Sequence, residues 1–466
     1  MNLSKSNRKS KLSTTILFFT IIFSARYYLA QEYNYWSNNF GAKSTLMCGA
    51  AVSNYFDNGA IFYNPATLCF KASGNISLSA NLYKFESLKR IDALGQGLSV
   101  NSTNFNFSPQ IVSGNKKIGK KLEIEFILMS KSDIQFNQSF SFNKYYNDTL
   151  IFSAPRSLYV ASYNMRKRIL DEWGGLSMSF NLTDKIGIGF GSFVSSRMSR
   201  YQMNISANNI STDTIFPAVS KSDSALTINK NDINVILKGG LVYNGYKNNF
   251  GFTVTASSIP VWGRGDLEYS IFISDPYTTG FIPIDVYVRR TNTKTQYKYP
   301  WSFALGYTRK YKRSKLHLTT EIFGAVAPYY MLKVQNVTSS TGSGNVSLGG
   351  DYLNGFKDAK RTIANFAVGY EKVLKGTLEL LLGCSTDFSN NDYYSNISNH
   401  DYNLNQESFN IFHYSIGFGF QHNKNNIAIG LAGSSGSRYS MSIANFQDPT
   451  FISKYFGFNY NSSLVK

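Results

Sequence analysis

Beyond its first thirty residues, the 466-residue chain has no apolar run of the roughly 20 residues that a membrane-spanning helix needs. That lack, with a mean hydropathy of −0.21, excludes a bundle of transmembrane helices. Cysteine is almost missing too. Three in the whole chain are too few for a disulfide-built scaffold or a multi-zinc module. None has metal-ligand spacing, so neither a metal nor another cofactor is expected. Charge is sparse, at 16% of residues, and acids are the scarcer sign: 28 against 47 Lys and Arg, for a formal net charge of +19. What the chain does have is aromatic surface, with 36 Phe and 32 Tyr, far more buriable area than a disordered chain carries. Length alone suggests more than one soluble domain, but a large β-barrel exceeds that prior as a single unit. The near-neutral hydropathy leaves a transmembrane barrel open, because its strands alternate apolar and polar residues.

The first thirty residues read as an address. Lys5, Arg8, Lys9 and Lys11 precede a mainly apolar stretch over residues 17–25 that contains no acid. This is the layout of a secretory signal peptide, with cleavage expected after Ala30, ahead of polar Gln31 and Glu32. Loss of residues 1–30 removes five basic residues and leaves a charge of about +14. The mature chain is then periplasmic, secreted or inserted as a barrel.

From about residue 74 onward the pattern has period two. Phe412, Tyr414, Ile416, Phe418 and Phe420 fall on one face, against His413, Ser415, Gly417, Gly419 and Gln421. Leu176, Met178 and Phe180 alternate with Ser177, Ser179 and Asn181, and Ile186, Ile188 and Phe190 with Gly187, Gly189 and Gly191. A soluble sandwich shows such faces as well. Strand length and loop length separate the two folds. The greasy face recurs in strands of about ten residues, enough to cross a bilayer at a tilt. Connections are of two kinds: short, mostly Lys-bearing turns at 183–185, 245–248, 309–314, 371–375 and 422–425, and long Asn/Ser/Tyr/Gly-rich loops at 337–360 and 386–408. Short periplasmic turns alternating with long extracellular loops are the mark of an outer-membrane barrel. Strands starting near residues 76, 102, 120, 173, 185, 230, 249, 301, 315, 362, 376, 411, 426 and 451 place every short turn on one side and number about fourteen. Residues 134–142, 267–273 and 284–288 also alternate and are assigned to strand extensions or a hairpin within an external loop. The expected fold class is an all-β transmembrane antiparallel barrel.

Residues 31–73 do not alternate. They contain Gly41, Ala42, Gly49, Ala50 and Ala51, then a run from Asp57 to Leu68 whose centre is Tyr63-Asn64-Pro65-Ala66. Asn-Pro is a turn signal, since proline fixes φ and restricts the residue before it. This stretch resembles the N-terminal plug of the long-chain fatty acid transporter (FadL/TodX) family, which carries an Asn-Pro-Ala signature soon after the mature N-terminus. Barrel segments are similar in style, among them Trp173-Gly174-Gly175-Leu176 and Pro300-Trp301. The resemblance implies a fourteen-stranded barrel blocked by a hatch, with residues 31–73 as plug and 74–466 as wall. It also implies passive uptake of hydrophobic small molecules, fatty-acid-like or aromatic, which leave sideways through a kinked strand. Asn64, Pro65 and Ala66, with Tyr63 before them, are the residues it marks, as a gating element or as a rigid turn holding the plug. No ligand-binding residue is identified.

Catalysis finds little support. The four histidines are scattered, with His413 and His317 facing the lumen, His400 in a long loop and His422 in a turn. No Gly-x-Ser-x-Gly elbow or His-x-x-x-His pair accompanies them, so a non-enzymatic protein is expected. Cys48 and Cys69 bracket the plug motif, either as a disulfide stapling it or as two free buried thiols. Scattered lysines without a basic-aromatic motif argue against nucleic acid. The expected surroundings are membrane lipids and lipopolysaccharide in the outer membrane of a Gram-negative bacterium. An alternative role is an outer-membrane protein partner in secretion or surface attachment, through the long extracellular loops.

Overall fold

The structure, a computed structural model, describes residues 34–437 apart from 58, 71–75, 120, 147–156, 213–217, 275, 277–282, 334–336, 342–343, 349–354, 393–408 and 423–424, together with Phe446. The expected signal peptide, the fourteenth strand near residue 451 and His400 lie outside these residues.

Three short elements come first: α1 (Ala42–Leu46), α2 (Ala60–Tyr63) and a 3-10 turn (Pro65–Phe70). Strands follow as β1 (Ile76–Arg90), β2 (Val100–Ile118), β3 (Leu122–Tyr146), β4 (Ser157–Asn181), β5 (Ile186–Ser211), β6 (Val219–Asn244), β7 (Asn248–Thr255), β8 (Ile259–Ser274) and β9 (Ile284–Lys294). The remainder are β10 (Ser302–Lys310), β11 (Ser314–Phe323), β12 (Val326–Lys333), β13 (Val337–Thr341), β14 (Gly344–Leu348), β15 (Gly355–Lys360), β16 (Ile363–Lys375), β17 (Leu378–Asp387), β18 (Asn410–His422) and β19 (Asn425–Ser437). One antiparallel path, β1-β2-β3-β4-β5-β6-β7-β10-β11-β16-β17-β18-β19, makes the main sheet. Among the described residues no ladder joins its two end strands.

The alternation has the expected physical meaning. One face of the sheet is apolar and open to its surroundings: Phe412, Phe418 and Phe420 are exposed, and Leu431 keeps 78% of its surface. A soluble monomer does not leave so wide an apolar band uncovered, whereas a lipid-facing wall requires it. Rings pair along this face, with Tyr243, Phe250 and Tyr307 spaced 6.4 and 5.3 Å between centroids. His413, Ser415, His317 and Ser179 point to the opposite, buried face.

Residues 134–142 extend β3, and 267–273 and 284–288 lie in the β8–β9 hairpin, which pairs with the far half of β6. The stretch read as a loop at 337–360 holds a β13–β14 hairpin, and β15 pairs with β12. β3 to β6 run 25 or 26 residues, well past what a bilayer needs. Their far halves carry their own core, which includes Tyr159, Tyr163, Tyr201, Leu226, Tyr269 and Tyr329.

One ladder is interrupted. β2 pairs with β3 only from Ile118↔Leu122 to Ile111↔Met129, while β3 stays paired with β4 as far as Tyr146↔Ser157. Immediately past Met129, β3 has a register shift between Ser130 and Ser132, which bulges Lys131. Pro109, which has no N–H to give to a ladder, sits two residues beyond Ile111, the last β2 residue paired with β3.

Candidate functional site: the N-terminal segment and its cavity

Residues 34–70 pack against the buried face of the sheet on many sides at once. Asn34 donates to the carbonyl oxygens of Asp387 (2.6 Å) and Phe409 (3.2 Å). Trp36 Nε1 donates to Glu321 Oε2 on β11 at 2.8 Å, and Ser53 Oγ meets Thr308 Oγ1 on β10 at 2.8 Å. Lys43 pairs with Glu379 on β17. A segment of this length that reaches β3, β6, β10, β11 and β17 lies inside the curve of the wall.

Two buried polar residues shape it. Asp57 accepts hydrogen bonds from the amides of Lys43 (2.7 Å), Ser44 (3.1 Å) and Gly59 (3.0 Å), and from Ser44 Oγ (2.9 Å). It satisfies the open N–H groups at the start of α1. Burial pushes its carboxyl above the usual range, and these four donors oppose that shift. Asn64, fully buried, plays the second part. Its Nδ2 donates to Val52 O (2.8 Å) and Leu241 O (3.1 Å), and its Oδ1 accepts from Ala66 N (3.0 Å). Tyr63 accepts from Phe40 N at 3.0 Å through its hydroxyl and from Thr253 Oγ1 at 3.1 Å through its carbonyl. Pro65 and Ala66 lie against the backbone of β5. All four motif residues are therefore buried at the contact between segment and wall.

The wall makes room by omitting side chains. A Cβ at Gly189 would stand 2.4 Å from Ala66 N, one at Gly251 2.1 Å from Val52 O, and one at Gly383 2.6 Å from Met47 C. Gly240, Gly306 and Gly369 are filled in the same way by Asn64, Ser53 and Met47. The register sets these glycines opposite one another, Gly189↔Gly240, Gly251↔Gly306 and Gly369↔Gly383. The result is a belt around the segment. Sequence reading saw glycines alternating with aromatics but not what they accommodate, since only the register aligns them.

Above the segment lies a cavity. Tyr35, Trp36, Val52, Phe62 and Tyr63 contribute from the segment, and Trp173, Ile236, Phe323 and Tyr299 are among its wall. Phe62 lines it at the meeting of several rings, 4.6 Å from Phe40, 5.4 Å from Tyr63 and 5.9 Å from Trp173 between ring centroids. Two ammonium groups flank the same ring, Lys238 at 4.6 Å and Lys131 at 5.1 Å. Each also ties the segment to the wall: Lys131 Nζ donates to Tyr35 O at 2.6 Å and Lys238 Nζ to Phe62 O at 2.5 Å. Tyr299, from the connection between β9 and β10, closes over Trp173 and donates its hydroxyl to Asp171. Lys131 is the bulged residue at the β2–β3 interruption, so the cavity borders the gap in the ladder. Of these cavity residues only Tyr63 was marked from the sequence; the others gather from distant strands.

The expected alternative of a Cys48–Cys69 disulfide is not formed. Both are free and buried. Cys48 Sγ lies 3.1 Å from Ser415 Oγ on β18, whereas Cys69 Sγ donates to Ala66 O at 3.1 Å and packs against Gly187 on β5. The two thiols sit at opposite walls. Burial pushes each up to about 12, which makes the thiolate scarce and alkylation slow. Unfolded, non-reduced protein should take up a thiol reagent at all three cysteines, Cys384 included; uptake at one alone would point to a bond.

His413 and His317 both bridge neighbouring strands. His413 Nδ1 meets Ser434 Oγ at 2.6 Å, with Asp387 Oδ2 3.8 Å from Nε2. His317 repeats this with Thr308 at 2.8 Å and Glu371 at 3.9 Å, fully buried under Phe56. The carboxylate distances are too long for hydrogen bonds. Repetition on two strand triplets marks a cross-strand brace.

No protein-family model matches the sequence, and no curated protein matches it. Solved structures do. The deltaS2 mutant of the TodX monoaromatic hydrocarbon channel aligns with a TM-score of 0.56 at 15% identity, over 87% of this chain and 94% of that one. The Pseudomonas putida toluene transporter TodX aligns at 0.51 and 16%, over 89% and 95%. A Pseudomonas aeruginosa FadL homologue covers 91% of this chain and 94% of its own at 0.48 and 12%. At such identities the likeness is one of fold: the chain has the fold of the FadL/TodX barrels, the family that its 41–68 segment resembles.

Proposed function

We propose that the chain is an outer-membrane channel for passive inward movement of hydrophobic small molecules, with residues 31–73 as the plug and 74–466 as the wall. The carrying observation is the aromatic cavity between segment and wall, bordered at Lys131 by the place where the β2–β3 ladder ends. An apolar solute entering from the far end meets Trp36, Trp173, Phe323 and the Phe62 ring, then a stretch of wall with no ladder to break. The plug meanwhile blocks bulk ion flow. TodX, named as a toluene transporter and as a monoaromatic hydrocarbon channel, supports a single-ring aromatic as the first substrate to try.

Phe62 supplies the test, because its ring lines the cavity and lies against both Lys131 and Lys238. Phe62→Ala should raise uptake of a monocyclic aromatic into proteoliposomes, and Phe62→Glu should lower it. The carboxylate would pair with Lys131 and Lys238 and add desolvation cost to the path. Each change should be about tenfold, equivalent to about 1.4 kcal/mol in the barrier. Equal uptake by wild type and both variants would overturn the proposal.

A further inference from the structure

The short-turn end of the wall carries a charge pattern that transport of apolar solutes does not use. Five short turns are described at this end. The β2–β3 turn exposes Lys116, Lys117 and Lys121 around Ile118, and the β4–β5 turn exposes Lys185 beside Leu182. Lys247 stands next to Tyr246 in the β6–β7 turn, and Lys312 and Arg313 follow Tyr311 in the β10–β11 turn. Lys372 and Lys375 flank Leu374 where β16 turns into β17. Nine exposed cations face one exposed carboxylate in these turns, Asp184. The nearby acids on the strands are buried or engaged: Glu371 and Glu379 by Lys315 and Lys43, Glu123 by Asn115 Nδ2 at 2.6 Å, and Glu125 buried on the inward face.

Every one of the five turns thus pairs a projecting apolar or aromatic side chain with at least one cation. Tyr246 is 92% exposed and Leu182 55%, and both continue a lipid-facing row, after Tyr243 and after Phe180. Such a pair suits the headgroup level, where an amphipathic ring or alkyl chain dips toward the acyl region while a lysine reaches phosphate. We infer that the short-turn rim is a binding surface for anionic phospholipid headgroups of the periplasmic leaflet. The inference rests on the outer-membrane barrel reading. A leaflet fits better than an acidic protein because the cations are spread over separate turns around the wall, each at the foot of its own lipid-facing strands. A protein partner would meet one side. Lipopolysaccharide would meet the opposite end, where the long loops are.

The test uses the full chain in vesicles of phosphatidylcholine alone and of phosphatidylcholine with phosphatidylglycerol. Spin-labelled forms of both lipids report how strongly each associates with the protein. Phosphatidylglycerol should be preferred severalfold at low salt, and the preference should shrink toward unity at high salt, as screening demands. The variant K312Q/R313Q/K372Q/K375Q should lose about half of the preference, and glutamate at the same positions should abolish it. Insertion with equal association of the two lipids would overturn the inference and leave the barrel reading standing. So would a preference that the substitutions do not alter. An acidic periplasmic protein binding the rim without any lipid preference would overturn it too. Failure to insert into phosphatidylcholine at all would sink the barrel reading and the rim with it.

Discussion

Valine at Gly189 or Gly251 should open the lumen. The new Cβ at Gly189 would lie 2.4 Å from Ala66 N and 2.5 Å from Pro65 C, and the one at Gly251 would lie 2.1 Å from Val52 O. These are backbone atoms, which cannot swing aside as a flexible side chain does. Strand pairing fixes the other side, with Gly189 opposite Ser179 and Gly240, and Gly251 opposite Val242 and Gly306. Overpacking of a well-filled contact costs about 1–3 kcal/mol, and the two further methyl groups of valine add to that. The segment, held by scattered hydrogen bonds, should yield before the long ladders of the wall. On the proposed plugged-barrel reading, ion conductance in planar bilayers should therefore rise by about tenfold or more, since a wide barrel without its plug holds a water-filled lumen. Residues 34–70 should also become open to protease in the folded protein. Gly239→Ala is the control, because nothing lies within 4 Å of a Cβ there. Wild-type conductance with a protected segment in both variants would show that the belt does not seat the plug.

The same glycines mark where sequence reading stops. The period-two pattern gave the membrane half of the wall: expected starts near 120, 185, 249, 315 and 411 correspond to strands that begin at Leu122, Ile186, Asn248, Ser314 and Asn410. The starts expected near 173 and 230 fall well inside β4 and β6, which begin at Ser157 and Val219. The reason is a reversal of polarity along an unbroken strand. In the short-turn half of β4, Leu176, Met178 and Phe180 face outward and are exposed, while Ser177 and Ser179 are buried inside. In the far half the same outward positions are Ser162, Asn164, Arg166 and Arg168, and the inward ones are Tyr159, Tyr163 and Met165. The outward face passes from apolar to polar, and the inward face from the N-terminal segment to an apolar core. Backbone direction never changes, but the hydrophobic phase shifts by one residue, which in a sequence looks like a new strand. The Tyr63–Ala66 turn was legible because its signal is local. Lys131, Lys238 and Trp173 were not, since each reads as an ordinary wall residue until the sheet curves and brings it to Phe62.

Asn64→Ala should loosen the plug at its turn and decide between the two roles open to that turn. The side chain holds Val52 O and Ala66 N within the segment and reaches Leu241 O on the wall, all buried. Its loss strands at least a carbonyl and an amide without a partner, a cost of about 2–4 kcal/mol. Thr67→Val removes a neighbouring bond, Thr67 Oγ1 to Asn64 O at 2.9 Å, and leaves the wall contact intact. If the turn is a rigid bracket, protease resistance of residues 34–70 should fall in both variants in proportion to the bonds lost. Uptake of the aromatic probe and ion leak should then rise together. If the turn moves during transport, Asn64→Ala should raise uptake more than leak, because the bond to Leu241 O is the one that must break for the segment to leave β6. Thr67→Val should then leave uptake near wild type. The ratio of uptake to leak is therefore the quantity to measure. A ratio that is the same in wild type and both variants assigns Asn64 to the bracket and leaves gating to the other polar links at the cavity, the lysine ties at Tyr35 and Phe62 and the Trp36–Glu321 bond.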